Sequence, residues 1–527
     1  MLRGPMADAT SSAASSSETA RTAGRGGVAV LGAKAFFIIS GLLQQTLLPR
    51  VIGLAGYGAL ARVFAVANVV NNVVVASATQ GVSRAVARAR DHHEEALRAA
   101  LRVHLVIAVV AGGLFFGAAP LVAAFEDAPY IVAPLRVSAG VVFCYGVYAA
   151  FIGALNGTAR FSKQAGLDVS FAVIRTTALL GAGWMFVRAG MSGVLGATTG
   201  FVFAAVCIVP LAIRWTGIGR EMAGPHPEIF EAKSYLLGLL PLAIAQLFTN
   251  GVMQLDITLL GRFLSQSATA AVGVAGAAKS ADEWVGVYNA CKLFAFLPYQ
   301  LLFSVTQVLF PFVARAHAQG DTEAVRAYVA RGARIGALVT GLMVAVIGAM
   351  PGSLLAFAYP AVVAERGEAT LRVLAIGQGA FAMLGLATTV LVSLGRHWRA
   401  AILTLFVLVL LVVSAFVVVP KADFGAPQLS ALAWTTTVTM GVGLVVAVAV
   451  VVQAAGAFVP TATGARVTAA VAVAVALGTR LPRMGKLLVP FEALAIVAVF
   501  LIVLALTGEV GAEDRRMVKE LVARRRG

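Results

Sequence analysis

The sequence predicts an all-α, polytopic membrane protein with about fourteen transmembrane helices. Three observations predict it. Of its 527 residues, 60% are hydrophobic and only 12% are charged, against about 25% charged in a soluble domain; mean hydropathy is +0.89. Apolar runs near 20 residues, the length that crosses about 30 Å of hydrocarbon, recur along the whole chain. The cations between those runs are distributed unevenly, as membrane topology requires.

The runs fall in order at 28–48, 59–83, 103–124, 134–156, 166–187 and 193–213, which makes 27–215 an N-terminal lobe. A polar linker follows at 216–233. The runs at 235–260, 284–310, 332–350, 369–394, 400–419 and 429–452 make 234–455 a C-terminal lobe, and a last pair at 466–480 and 488–507 occupies 456–508. Residues 1–26 are rich in Ser, Ala and Thr and lack the apolar core and cleavage site of a signal peptide. They read as a disordered cytoplasmic tail, and 509–527 as a basic one. Cys144, Cys207 and Cys291 all lie within spans and form no disulfide framework.

A net charge of +17 raises nucleic acid as a partner, and the placement of the charge argues against it. With the N-terminus inside, and cations toward span ends counted with the adjoining loops, the inner side holds 26 Lys and Arg and the outer side 12, with Lys34, Arg175 and Lys292 deeper inside spans. This is the positive-inside bias, and it sets both termini in the cytoplasm. Arg480, Arg483 and Lys486 fall outside against the trend. The run Asp91-His92-His93-Glu94-Glu95 has no second ligand group at metal-binding spacing and reads as a solvated loop. No HExxH, P-loop or GxGxxG motif is present. The outer loops are short and place no pair of acids for chemistry, so no enzyme, metal or cofactor is expected.

An internal repeat organises the spans. VARARDHHEEALRAALR (86–102) follows the second run and VARAHAQGDTEAVRAYVARGAR (313–334) follows the eighth; a fainter echo links LNGTARF (155–161) with SLGRHWR (393–399). Each motif recurs six spans later, so the copies share one orientation in the membrane. Two lobes related by a pseudo-twofold axis along the membrane normal are expected, with the binding site between them. The VARA stretches also suit basic segments resting on lipid headgroups.

Two lysines stand inside apolar runs, Lys34 in GGVAVLGAKAFFIISGLLQQTLL and Lys292 in VGVYNACKLFAFLPYQLLFSVTQVLF, with no acid within one helical turn. A cation at that depth costs about 2.5–3.5 kcal/mol on insertion scales, so such residues face a water-filled cavity and serve function. Lys34 falls about 10 Å from the inner end of its helix and Lys292 about 13 Å from the outer end of its own. The repeat does not make them equivalent, so they read as two stations on one path for something anionic.

The chain resembles bacterial polysaccharide (O-antigen-type) flippases of the multidrug/oligosaccharidyl-lipid/polysaccharide exporter superfamily over roughly 27–452. LPRVIGLAGYGALARVFAVANVV (48–70) is similar to that family's first turn, Asp256-Ile-Thr-Leu-Leu-Gly-Arg262 with VGVYNACKLFAFLP to its seventh and eighth helices, and VPKADFGAPQLSALAWTTT (419–437) to its turn between helices 11 and 12. The resemblance implies two six-helix lobes around a central cavity plus two peripheral C-terminal helices. Residues 263–283 depart from it as a small-residue stretch longer than the usual connection.

The implied cargo is an undecaprenyl-pyrophosphate-linked oligosaccharide, moved to the outer leaflet of the bacterial inner membrane by alternating access for polysaccharide or lipopolysaccharide (O-antigen) synthesis. Membrane lipids, a polymerase and glycosyltransferases are the implied partners, and H+ or Na+ coupling is open. Lys34, Arg50, Arg62 and Lys292 are the cations for the pyrophosphate. Asn68 and Asn72, with Asn71, Gln44, Gln45 and Gln254, are the amides for sugar hydroxyls. Alternatives stay open: Asp256 as half of a buried ion pair, Arg50 and Arg62 snorkelling to headgroups, Asn71 and Asn72 joining helices, and Arg175 pairing with Asp168 seven residues earlier. Lipid II is the alternative cargo, and helix-8 cations also occur in its flippases. A multidrug exporter of the MATE type is disfavoured by a lysine, and no acid, in the first span.

Overall fold

A computed structural model of the chain describes the backbone of residues 6–89, 92–217, 231–481 and 485–509; side chains are described at Gly32 and from Phe36 onward, except 304, 305, 307 and 308. The side chain of Lys34, the segments 218–230 and 510–527, and Arg483 therefore lie outside the described residues. Among the described residues there are fifteen α-helices: α1 Met6–Arg88, α2 His93–Phe125, α3 Val132–Gly157, α4 Phe161–Arg188, α5 Gly193–Thr216, α6 Ala232–Val272, α7 Val274–Ala295, α8 Leu297–Ala318, α9 Thr322–Ala349, α10 Pro351–Ala358, α11 Ala361–Ser393, α12 His397–Val418, α13 Ala426–Ala455, α14 Thr461–Gly478 and α15 Val489–Leu506. Among the described residues there is no strand. The stretch 1–26, expected as a tail, is taken into α1 from Met6 onward.

Twelve helices among the described residues are long and apolar enough to cross a membrane. That number is compatible with fourteen spans, because α1 counts once although it contains two arms, and α7 and α8 are interrupted at Phe296. Large apolar side chains such as Leu114, Leu121 and Val445 are more than two-thirds exposed, which suits a hydrocarbon surround. The chain is a multi-pass membrane protein.

The chain divides into two compact units, residues 1–250 and 251–527. The boundary falls inside α6, because Tyr235 and Leu239 lie against Gly81 and Tyr235 bonds His104.

In the first unit, Ser40 of α1 meets Ala172 and Thr176 of α4, and Ile52 meets Gly183 of α4. The stretch before Gly53 therefore runs parallel to α4. Beyond Gly53 the contacts follow α3: Val74 meets Gly146, Val82 meets Gly153 and Val86 meets Gly157. Helices α3 and α4 join at 158–160 and run antiparallel, with Tyr145 against Phe171. The two arms of α1 are thus an antiparallel hairpin, and Gly53 makes the reversal at φ 78°, ψ 164°, a region open essentially to glycine alone. Close packing fixes α5 on α4: in Gly196-x-x-x-Gly200 a methyl at either glycine would collide with the Ala182 or Ala178 carbonyl, the small-residue contact that membrane helices use. Ser192 caps the start of α5 through Leu195 N, and Gly217 at φ 83° ends it.

The second unit repeats the hairpin. Gly273 adopts φ 76°, ψ 164°, matching Gly53, and Gly-Leu-Ala-Gly (53–56) corresponds to Gly-Val-Ala-Gly (273–276). This corrects the expectation for 263–283: α6 runs to Val272 and α7 starts at Val274, so the stretch is helix on both sides of a one-residue turn, with no insertion. Its small residues lower its hydropathy yet pack well, Leu264 and Ala268 being fully buried.

The copies differ after the turn. Thirty-three residues separate Gly53 from Val86, whereas 40 separate Gly273 from Val313. Seven extra residues are about two helical turns and rotate the face by only about 20°. The longer copy carries the break at Phe296, where Pro298 starts α8. The expected span 284–310 is thus α7 plus α8.

Helices α9 and α11 form the centre of the second unit. Leu302 and Leu309 of α8 lie against Gly336 and Gly332 of α9, and Val344 of α9 lies against Gly379 of α11. Helices α14 and α15 pack on the outer side of α9, where Val346 and Met350 join Ala470, Ala474, Ile496 and Phe500 in one apolar core.

Candidate functional site: polar groups on the paired hairpins

The hairpin at Gly273 determines which residues meet. Asp256 stands 17 residues before the turn and Lys292 stands 19 after it, so the two arms bring them to one depth. Lys292 Nζ donates to Asp256 Oδ1 at 2.6 Å and to the Met253 carbonyl. Asp256 also accepts from the Ile257 N–H at 2.8 Å on Oδ1 and from the Tyr288 hydroxyl at 3.0 Å on Oδ2. Lys292 is 8% exposed and Asp256 1%. The acid that sequence distance hides from Lys292 therefore comes from the other arm. The lysine expected to face a cavity is closed over its own counter-ion, and Asp256 takes the ion-pair alternative. Tyr288 was missed; it lies one helical turn before Lys292 on the same face. Gln254 is half-buried on α6.

In the first unit, Asn72 stands 19 residues after Gly53, the register position of Lys292. Its amide donates to Asn250 Oδ1 at 2.7 Å, which joins α1 to α6. Asn68 is half-buried, and Asn71 is buried with its Oδ1 unpartnered. Lys34 stands 19 residues before Gly53 on the other arm; its side chain is outside the described residues. Ser40 and Thr176 share a hydrogen bond at 2.9 Å, and Thr176 donates to the buried Gln44 at 3.5 Å.

Nearer the Gly53 turn, Arg62 is fully buried. Its Nε meets Glu126 Oε2 at 2.7 Å, and its other nitrogens donate to the Glu126 carbonyl and the Tyr130 hydroxyl. It neither snorkels nor offers a free charge; it fastens α1 to the end of α2. Arg50, beside Pro49 and three residues before the turn, is exposed. His92 and Glu95 stand 3.6 Å apart, and among the described residues no group of His, Cys, Asp and Glu is arranged to hold a metal.

Residues 47–359 match the model of the family described as polysaccharide biosynthesis protein. Among curated proteins no sequence matches the chain. The solved structure of the lipid II flippase MurJ in an inward closed conformation is similar with a TM-score of 0.72 at 12% identity, covering 92% of this chain and 99% of that one. An inward-facing MATE-family multidrug resistance transporter of the MOP superfamily gives 0.60 at 15% identity, covering 81% of this chain and 98% of its own. An outward-facing one gives 0.57 at 15%, with coverages of 81% and 96%. At these identities the likeness is one of fold. These neighbours are a flippase and transporters, not enzymes.

Proposed function

Because the chain belongs to the polysaccharide biosynthesis protein family, we propose that it moves an oligosaccharide linked to a polyprenyl pyrophosphate from the cytoplasmic to the outer leaflet of the bacterial cytoplasmic membrane. Both termini lie in the cytoplasm, and O-antigen or another surface polysaccharide is the product served. A polymerase and glycosyltransferases would act on either side of this step.

The observation that carries the reading is the buried Lys292–Asp256 pair in the second unit. A lysine buried in hydrocarbon is costly unless matched, and here Asp256 matches it when no cargo is present. A pyrophosphate reaching this depth competes with Asp256 for the ammonium. Lysine is a point charge without bidentate grip, so the cargo can leave again. Lys34 on the first arm of α1 supplies the other station, Arg50 at the Gly53 turn lies toward the outer release point, and Asn68, Asn72 and Gln254 offer amides to the sugars. Arg62 holds the frame. The path is exposed alternately to the two leaflets while the polyprenyl tail stays in lipid. Proton or sodium coupling would act through the carboxylate that the cargo leaves behind.

Lipid II is the second cargo, favoured by the likeness to the MurJ fold across 92% of this chain; it shares the pyrophosphate. The test is proteoliposome transport of three labelled cargoes: an undecaprenyl-pyrophosphate oligosaccharide, lipid II and a cationic dye. Transport of the oligosaccharide lipid in preference to lipid II is expected. Transport of the dye alone would overturn the anionic cargo.

A further inference from the structure

Arg175 lies at the midpoint of α4 and is held by rings instead of a counter-ion. Its guanidinium carbon stands 4.6 Å from the Phe37 ring centroid and 5.8 Å from that of Phe171. Among the described residues no carboxylate forms an ion pair with it, and its Nε is buried with no acceptor. The expected pairing with Asp168 is not made; the two groups act together only on the Tyr145 hydroxyl between them. Helix periodicity sets Arg175 on the side of α4 away from the exposed stripe of Val173, Thr177, Trp184 and Met185. It is half-buried all the same.

A second orphan donor belongs to the same cluster. Tyr148 packs on the same Phe171 ring, with centroids 5.9 Å apart, and its buried hydroxyl has no partner. Ser40, Gln44 and Thr176 add neutral hydrogen-bonding groups one turn away. A charged N–H and a phenolic O–H of this cluster are each left without an acceptor. The contrast with the second unit is direct: there the buried cation Lys292 is paired with Asp256, and Arg175 has no such ion pair among the described residues.

We propose that Arg175, with Tyr148, forms a diphosphate-binding station for an anionic headgroup within the first unit. An arginine presents a planar fork to two phosphate oxygens, and the flanking rings hold that fork in place before the ligand arrives. Asp168 faces the two tyrosines and opposes the anion. This rests on the anionic-cargo function above and adds a residue of the first unit that holds the anion.

The test is binding of inorganic pyrophosphate and, in nanodiscs, of undecaprenyl pyrophosphate to the full-length protein, with sulfate as the generic anion. Arg175→Gln is expected to weaken pyrophosphate at least tenfold, Arg175→Lys to fall between it and the wild type, and Asp168→Asn to tighten binding. Tighter binding of the lipid than of free pyrophosphate assigns the station to a headgroup, and equal binding assigns it to the diphosphate itself. An Arg175→Gln protein that binds pyrophosphate like the wild type, or that only melts earlier, overturns the station. If that variant also flips the oligosaccharide lipid normally, the proposed function stands without Arg175. A wild type that neither binds pyrophosphate nor moves its lipids removes both.

Discussion

Removing either member of the Lys292–Asp256 pair tests whether the second hairpin is built on that charge. The two residues are 8% and 1% exposed, so each charge left alone has almost no water to turn to. Breaking a buried pair from one side costs about 3–5 kcal/mol. The structure ranks the two single changes within that range. Without Lys292 the carboxylate keeps the Ile257 N–H and the Tyr288 hydroxyl, so Lys292→Met belongs at the lower end, about 3 kcal/mol. Without Asp256 the ammonium keeps only the Met253 carbonyl and Tyr288 loses its acceptor, so Asp256→Ala belongs at the upper end, about 5 kcal/mol. The double variant leaves no net charge and is expected to cost less than the two singles together by about 2 kcal/mol or more. The assay is equilibrium unfolding by SDS in mixed micelles, with all four proteins at one pH. Single variants that each cost under about 1 kcal/mol, or costs that simply add, would refute a buried, coupled pair.

Three further outcomes follow from the same coordinates. Gly53→Ala and Gly273→Ala should each cost about 1–3 kcal/mol, from backbone strain alone, because a methyl meets nothing within 4 Å at either site; unchanged unfolding of both would remove the matched-turn account. Arg62→Ala should cost about 3–5 kcal/mol in the same assay, since it strands Glu126 fully buried, and a cost typical of a surface site would contradict it. Glu509, just past α15, is held below the ordinary carboxylate range: burial pushes it up, and hydrogen bonds from Arg334, Thr463 and Arg466 outweigh that. A depressed folded pKa stabilises above the unfolded value, about 4.3, and that contribution is lost as pH falls through the folded pKa. Hydrogen-exchange protection of 489–508 should therefore fall in acid, and Glu509→Gln should lower it at neutral pH and flatten the dependence. The change is modest, because Arg334 and Arg466 are 33% and 36% exposed and solvent screens them. Equal protection in both proteins at both pH values would contradict it.

The all-helical membrane fold and the six-span repeat were legible because hydrocarbon thickness and the VARA spacing act through composition and order alone. The Gly273 turn was not legible. Its flanks are small residues with weak hydropathy, so helix ends packed by Leu264 and Ala268 looked like a connection. Had Gly-Val-Ala-Gly been matched to Gly-Leu-Ala-Gly, counting outward from Gly273 would have paired Asp256 with Lys292. Arg62 was read as a cation for the pyrophosphate or as snorkelling to headgroups, because its partner Glu126 lies 64 positions away, beyond the range of local spacing. Arg175 misled in the opposite sense: Asp168 shares its helix face seven residues earlier, yet the guanidinium turns to Phe37 and Phe171, which only the packing of α1 on α4 brings near.

The most direct test is the flipping rate of an undecaprenyl-pyrophosphate oligosaccharide in proteoliposomes bearing wild-type protein or a Lys34→Met, Lys292→Met variant, with folding verified by monodisperse elution and helical content. Wild-type vesicles should expose the glycan on the far leaflet well above the protein-free rate, and the folded double variant should fall to that background. Undiminished flipping by the double variant would contradict the capture of an anionic cargo by cations inside the membrane.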